Sequence, residues 1–192
     1  MTDRPKPKLL PVMVPWQIEA GAPYLSLETS ARGEPLSATF IAFFKCDESS
    51  AKRSSTDAHI VSKPPAFQAR SQDVKTPYRL VRVSFIGAHS GHTRRAVSDH
   101  EPVREADFDW TAIASWPRPG EPPEQTVRRS RDLWLMTGMC PDPCMYQVQG
   151  SRWIRELGLS ESTWHHYLLL GHDEYVEVVA QGWMWEAGQA VT

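Results

Sequence analysis

Cysteine is scarce in this sequence, and so are the long apolar runs that mark a membrane protein. Three cysteines are an odd number and too few for a disulfide framework. They favour a reducing compartment such as the cytoplasm. No run approaches the roughly 18–20 consecutive apolar residues of a membrane span. The polar residues 1–8 lack the apolar core of a signal peptide. We therefore expect a cytoplasmic protein without a membrane partner.

The motifs of several common enzyme classes are missing as well. The sequence has no phosphate-binding glycine loop, no dinucleotide fingerprint and no G-x-S-x-G nucleophile elbow. Residues 1–100 carry 14 basic and 9 acidic side chains, whereas residues 101–192 carry 7 and 14. The tightest basic runs, Arg94–Arg95 and Arg128–Arg131, are sparser than those of most nucleic-acid-binding domains. Nucleic acid is therefore a weakly supported partner.

Tryptophan is plentiful, whereas aliphatic residues are few. Leu, Ile, Val and Phe together make up 39 of the 192 residues, and there are eight tryptophans and sixteen prolines. Each tryptophan brings a large apolar area to a core or an interface. The length predicts a single domain over residues 1–192. Within it, the composition predicts a flexible N-terminal arm at 1–8 and a long polar loop at 47–77.

Alternating and β-branched segments predict an α+β fold, mainly an antiparallel sheet with one or two short helices and long Pro-rich loops. The predicted strands cover 24–28, 37–45 and 78–86, with an edge strand inside 9–16. A helix is predicted over 151–159 from its apolar spacing, and a short helix is expected to start at Asp107 or Asp109. The segment 126–136 fits either a helix or a strand.

The strongest local pattern is a hairpin near the C-terminus. Trp164–Leu170 and Tyr175–Ala180 are two β-favouring runs, and the polar residues 171–174 between them suit a turn. We expect these runs to pair at the centre of the sheet, with Leu169 and Val178 buried. Trp183 and Trp185 follow two residues apart, so an extended chain places them on one face.

Histidines provide the main candidates for catalysis or metal binding. His89 and His92 fall in a predicted loop after the 78–86 strand, with His100 further along. Histidine titrates near neutral pH and is the commonest metal ligand. Arg94 and Arg95 beside them would suit an anionic substrate. The competing interpretation, which we favour, is that the two loop histidines are ordinary solvated residues.

The hairpin histidines favour structural roles. Adjacent residues of a strand face opposite ways, so His165 and His166 cannot both bind one ion without a bulge. His166 shares its face with apolar residues and is predicted to be a hydrogen-bonded core histidine. His172 and Asp173 fall in the predicted turn, where polar residues are used for backbone reasons.

A sulfur-rich segment is the most unusual short motif. Cys140 and Cys144 enclose Pro-Asp-Pro, and the nearby Met136, Met139 and Met145 add further soft ligands. Such ligands suit Cu(I) or part of a zinc site. A structural zinc site needs further Cys or His ligands at matching spacing, which the sequence does not offer. We favour a proline-rich turn whose sulfur side chains pack inward.

Taken as a whole, the sequence favours a non-enzymatic interaction protein, such as an accessory, inhibitor or immunity-like bacterial factor. Aromatic residues, arginines and long loops are typical of protein interfaces. The expected anchors for a protein partner are Trp110, Trp116, Trp183 and Trp185. The alternative is a small metal-dependent or histidine-using enzyme acting on an anionic substrate through His89, His92 and His100. No cofactor class can be assigned.

Overall fold

A computed structural model describes residues 5–19, 21, 25–28, 35–45, 77–97 and 103–191. The predicted fold class is confirmed, because these residues form mainly antiparallel sheets with two helices. The predicted loop at 47–77 lies outside them apart from Pro77. The elements are β1 Lys8–Pro11, β2 Trp16–Ile18, β3 Leu25–Glu28, β4 Leu36–Phe44, β5 Tyr78–Ile86, β6 Ser90–Arg95, α1 Pro123–Thr137, β7 Met145–Gln149, α2 Arg152–Glu156, β8 His165–Leu170, β9 Glu174–Ala180 and β10 Gly182–Ala190.

The described strands form two sheets packed face to face. The front sheet has the order β1-β7-β8-β9-β6, and the back sheet has the order β10-β5-β4-β2, with β3 also paired to β4. All of these pairings are antiparallel. The strands predicted near 24–28, 37–45 and 78–86 all belong to the back sheet, whereas the predicted hairpin belongs to the front sheet.

The main core lies between the two sheets. The back sheet contributes Trp16, Phe40 and Phe85, and the front sheet contributes Leu169 and Val178, all of them buried. The rings of Trp16 and Phe40 lie 5.1 Å apart between centroids. Because apolar burial is the largest favourable term in folding, this interlayer contact is the main source of the sandwich's stability.

The predicted hairpin is confirmed. Strands β8 and β9 pair with Leu170 opposite Tyr175 and Tyr167 opposite Val178. The turn is closed by the Gly171 N–H, which donates to the Glu174 carbonyl at 2.9 Å. β8 is the central strand of the front sheet. Leu169 on β8 and Val178 on β9 are both fully buried, as expected.

A second apolar cluster covers the other face of the front sheet. Leu9, Tyr146 and Leu168 are buried there beneath Trp110 and Trp116. These two rings are stacked, with centroids 5.0 Å apart and 17° between their planes. Both faces of β8 are therefore covered and mainly apolar, which explains why β8 does not alternate between apolar and polar residues.

Two local predictions were wrong. The segment carrying His92 is not a loop, because strand β6 begins at Ser90 and pairs with β9. No α-helix begins at Asp107 or Asp109, and a 3₁₀ turn spans Glu105–Asp107 instead. The Trp110 indole N–H donates to the Glu105 carbonyl at 3.0 Å. This bond and the stacking on Trp116 hold the chain in turns rather than in a helix.

The helix ends follow ordinary capping rules. The segment around 126–136, left open by the sequence, is helical: α1 starts at Pro123, which suits the first helical position, and ends before Gly138 in the left-handed conformation (φ 71°). In α2 the Ser151 side chain accepts a hydrogen bond from the Ile154 N–H. No helix in the described ranges is long and apolar enough to cross a membrane.

Substitutions in the hairpin test its central position. We expect Val178→Asp to destabilise the protein by several kcal/mol, because it places an unpaired charge in the core. Asp173→Asn in the exposed turn should change the unfolding free energy by less than about 1 kcal/mol. Urea unfolding of both variants measures this contrast, and a reversed order of the two effects would contradict the burial of Val178.

Candidate functional site

Helix α1 is fixed to the rest of the chain by an arginine. The Arg129 guanidinium donates to both carboxylate oxygens of Glu121, at 3.0 and 2.7 Å, and to the Trp116 carbonyl at 3.3 Å. It also donates to the Ala114 carbonyl. The hydrogen bond from Arg129 lowers the pKa of Glu121 to about 2. This bidentate pair ties the first half of α1 to the preceding connector.

The second half of α1 is fixed by a tryptophan. The Trp134 ring packs edge-on against Phe43 of β4, with centroids 6.1 Å apart. The Lys45 ammonium lies 5.7 Å from the centroid of the same ring, within the range of a cation–π contact. Phe43 also contacts Tyr78 of β5, at 5.5 Å between centroids. These contacts seat α1 at one end of the back sheet.

Apolar side chains nevertheless project from α1 into solvent. Val127 is 67% exposed and Met136 is 80% exposed, and Leu135 is exposed as well. The half-buried and buried positions of α1 lie mainly on the side that carries Thr126, Arg129 and Leu133. α1 is thus only partly covered, and large apolar groups remain available on its free surface.

Two clefts flank α1, one on each side. The smaller, of about 360 Å³, is lined by Phe43, Lys45, Ser115, Thr126, Val127, Ser130, Arg131 and Trp134. The larger, of about 550 Å³, has Thr111, Ala112, Ile113, Ala114, Trp116, Pro117, Arg118, Pro119, Arg129, Asp132, Leu133 and Met136 along its walls. The exposed Val127 and Met136 each border one cleft. We call α1 with these two clefts the α1 surface.

The charge of the α1 surface is positive. Arg118, Arg128 and Arg131 are exposed there, and Lys45 borders the smaller cleft. Exposed acidic residues of α1 are Glu124 and Asp132, and Asp132 lies 3.6 Å from the Arg131 guanidinium. Since Arg129 is neutralised by Glu121, the remaining cations exceed the anions by two.

The four tryptophans expected to be partner anchors lie in two different clusters. Trp110 and Trp116 stack on each other over the front sheet, and Trp116 also borders the larger cleft. Trp183 and Trp185 face the sandwich core and are half-buried. The Trp185 ring lies 6.0 Å from that of Trp16. Trp116 is therefore the predicted anchor that belongs to the α1 surface.

His89 and His92, predicted to contribute to a metal or acid–base site, contact different partners. His89 packs edge-on against Trp164, at 5.6 Å between centroids. His92 Nε2 instead lies 2.9 Å from Glu177 Oε2 across the β6–β9 pair. His100 lies outside the described residues. Within the described ranges, no group of three or more His, Cys, Asp or Glu side chains is arranged to hold a metal ion.

Glu177 forms the centre of a polar network that the sequence did not reveal. His166 Nε2 lies 3.2 Å from Glu177 Oε1, and His166 Nδ1 lies 2.9 Å from Ser151 Oγ. The Trp153 ring covers both imidazoles, at 4.7 Å from His92 and 5.2 Å from His166. The network joins β6, β8, β9 and the start of α2. His166 is buried and hydrogen-bonded, as predicted.

Ser151, His166 and Glu177 are the residue types of a hydrolytic triad, but here they join secondary-structure elements of the fold. Ser151 is buried and already accepts the capping hydrogen bond of α2. A nucleophile must reach a substrate, and this hydroxyl is covered. Arg94, predicted to orient an anionic substrate, lies with Nε 2.9 Å from His92 Nε2 and 3.5 Å from Glu177 Oε2. The Arg94 guanidinium therefore interacts with the network around Glu177.

Of the sulfur side chains expected to pack inward, Cys140 and Met145 are buried, whereas Met136 is exposed. Cys144 contacts both apolar clusters while its backbone is left-handed (φ 58°). Burial raises the pKa of Cys140 to about 12 and also raises the pKa of Cys144. Both thiols are therefore protonated at neutral pH. Cys46 lies outside the described residues.

Comparison with known proteins found no matching family model, curated protein or solved structure.

The network around Glu177 predicts a pH-dependent contribution to stability. Burial raises the pKa of Glu177, but hydrogen bonds and charge attraction from His166 and His92 outweigh it and leave the pKa below the ordinary 4.5. Such a group stabilises the fold above the ordinary pKa and loses this effect as the pH falls through the native pKa. We expect Glu177→Gln to cost about 1–3 kcal/mol at pH 7. Urea unfolding between pH 7 and pH 3 should show that the difference in unfolding free energy between wild type and Glu177→Gln becomes smaller in acid. A free-energy difference that does not change with pH would contradict the lowered pKa of Glu177.

The two turn cysteines should be unreactive in the folded protein. At pH 8, a thiol with a pKa of about 12 has roughly a thousandfold less thiolate than one with the ordinary value of 9.0. We expect Cys140 and Cys144 to react with iodoacetamide far more slowly in buffer than in urea. Peptide mapping by mass spectrometry measures each cysteine separately. Rapid alkylation of Cys140 in buffer would contradict its burial.

Proposed function

We propose that this chain is a non-enzymatic interaction protein that binds an acidic, apolar segment of a protein partner on the α1 surface. The observation that carries the proposal is the exposure of Val127 and Met136 beside the two clefts. We further propose that it acts in the bacterial cytoplasm as an accessory, inhibitor or immunity-like factor, in keeping with an odd and small number of cysteines, three in all.

The exposed apolar groups support a docking role. Leaving a large apolar side chain in water forfeits about 1.5–3 kcal/mol of burial, and three such side chains are exposed on one helix. Clefts on both sides of α1 provide space for a partner's side chains, and Trp116 and Trp134 provide aromatic walls.

Charge supports an acidic partner. Arg131 borders the smaller cleft with Val127, Arg118 borders the larger cleft with Met136, and Arg128 is exposed next to Val127 in the chain. Arginine at an interface pairs with carboxylates and excludes basic partners. A partner segment with carboxylates beside large apolar side chains complements both the positive charge and the exposed apolar groups of the α1 surface.

Other functions have weaker support. His89 contacts Trp164 whereas His92 contacts Glu177, so the pair gives little support to a shared metal or acid–base site. In the Arg128–Arg131 run, Arg129 is engaged by Glu121. The two remaining arginines are few for a nucleic-acid interface.

Selection from a displayed random-peptide library tests the proposal with a defined probe. We expect selected peptides to combine acidic and large apolar residues. Their affinity, measured by calorimetry, should fall at least about tenfold in Met136→Asp and Val127→Asp, because the new charge faces both the peptide's carboxylates and its apolar groups. Arg128→Glu combined with Arg131→Glu should also weaken binding, and the affinity for the unchanged protein should fall with added salt.

A matched control is Val97→Asp. Val97 is 52% exposed just after β6 and lies outside both cleft linings, so this variant should bind the peptides as wild type does. If no acidic, apolar peptide is enriched, or if Val97→Asp weakens binding as much as Met136→Asp, the proposed function is wrong.

A further inference from the structure

The described sheet edges differ in how well they resist pairing with another strand. In β1, a proline follows two leucines, and the strand has four residues. Strands β2 and β3, which share one side of β4, have three and four residues. Strand β6 ends in the exposed Arg94 and Arg95. Short length, proline and exposed charge are the devices by which natural proteins prevent edge pairing.

Strand β10 lacks these devices. It has nine residues, Gly182–Ala190, and contains no proline, no lysine and no arginine. Its single charge is Glu186, and its other side chains are small, amide or apolar. β10 ends the order of the back sheet, pairing with β5 on one side. On its other side, backbone N–H and C=O groups have no strand partner among the described residues.

The side chains of β10 are arranged for a continuous sheet. Trp183 and Trp185 face the core but remain half-buried at this edge. Met184 points to the opposite face and is 45% exposed, opposite Ser84 and next to the exposed Ile86. A further strand at this edge would cover the open sides of both tryptophans and of Met184.

We infer that β10 pairs antiparallel with β10 of a second copy of this chain, around a twofold axis at Trp185. In this register Trp183 faces Ala187 of the other copy, and Met184 faces Glu186 of the other copy. Trp183 and Met184 thus each have a smaller or flexible neighbour, and the two Trp185 indoles lie opposite each other at the axis, where an aromatic pair is favourable. The paired residues 183–187 fall within the regular part of β10, because the irregularity in its pairing with β5 lies beyond Ala187.

The sequence of β10 favours a second copy over a different protein. A single charge offers little basis for selecting another partner by charge complementarity. A twofold axis at Glu186 would place the two carboxylates opposite each other, and like charges directly opposite are destabilising. An axis at Trp185 avoids this contact. In this twofold arrangement the core-facing sides of the two back sheets lie on the same side of the joined sheet.

Two charge variants at Met184 test both the pairing and its register. Met184 is exposed in the single chain, so both variants should fold. Met184→Glu places a carboxylate opposite Glu186 of the other copy and should raise the dimer dissociation constant at least about tenfold. Met184→Lys places an ammonium there and should leave the constant unchanged or lower it. Glu186→Gln should largely restore dimerisation of Met184→Glu.

Sedimentation equilibrium at low salt measures the association, and urea unfolding verifies that each variant folds. Leu80→Glu is the control, because Leu80 is 44% exposed on the outer face of β5, one strand in from the edge, and neighbours Gly188 beyond the paired residues 183–187. It should leave dimerisation unchanged. A monomer throughout the accessible concentration range would overturn the inference. Equal loss in Met184→Lys and Met184→Glu, or dissociation by Leu80→Glu, would do the same. Met136→Asp should still dimerise, so this result is independent of partner binding on the α1 surface.

Discussion

Burial of strand β8 on both faces is the constraint on which the other layers depend. Tyr167 and Leu169 face the back sheet, whereas His166 and Leu168 face the other way, toward α2 and the tryptophan-rich turns. A strand that is apolar on both sides needs cover on both sides. The back sheet provides one cover. The stacked indoles and α2 provide the other.

Aromatic rings join these layers because the chain has few aliphatic residues. Trp16 lies between Phe40 and Trp185 in the sandwich core, and Trp110 lies between Trp116 and Tyr146 on the outer side. A single indole fills the volume of several methyl groups, and the Trp110 N–H also donates to the Glu105 carbonyl. The polar residues on the outer face of the front sheet form a hydrogen-bonded network around Glu177, so burial there does not leave charges unpaired.

Local elements followed from the sequence, whereas long-range arrangements did not. The β8–β9 hairpin and β5 were predictable because strand propensity and flanking turn residues act over short distances. Alternation of apolar and polar residues indicates that a strand has two different faces, but it does not indicate which sheet the strand joins. The meeting of His92, His166 and Glu177 depends on the registers of three strands, and His92 itself was assigned to a loop. The exposure of Val127 and Met136 was equally hidden, since it depends on where α1 is seated.

The attachment of α1 by Arg129 and Trp134 has a consequence for the dynamics of the fold. The side chains of α1 belong to neither of the two buried clusters. Helix α1 can therefore detach without exposing the sandwich core. Local opening then requires far less free energy than global unfolding. Amide hydrogens in α1 should exchange with solvent through this local opening, long before those of β8, whose exchange requires the whole domain to unfold.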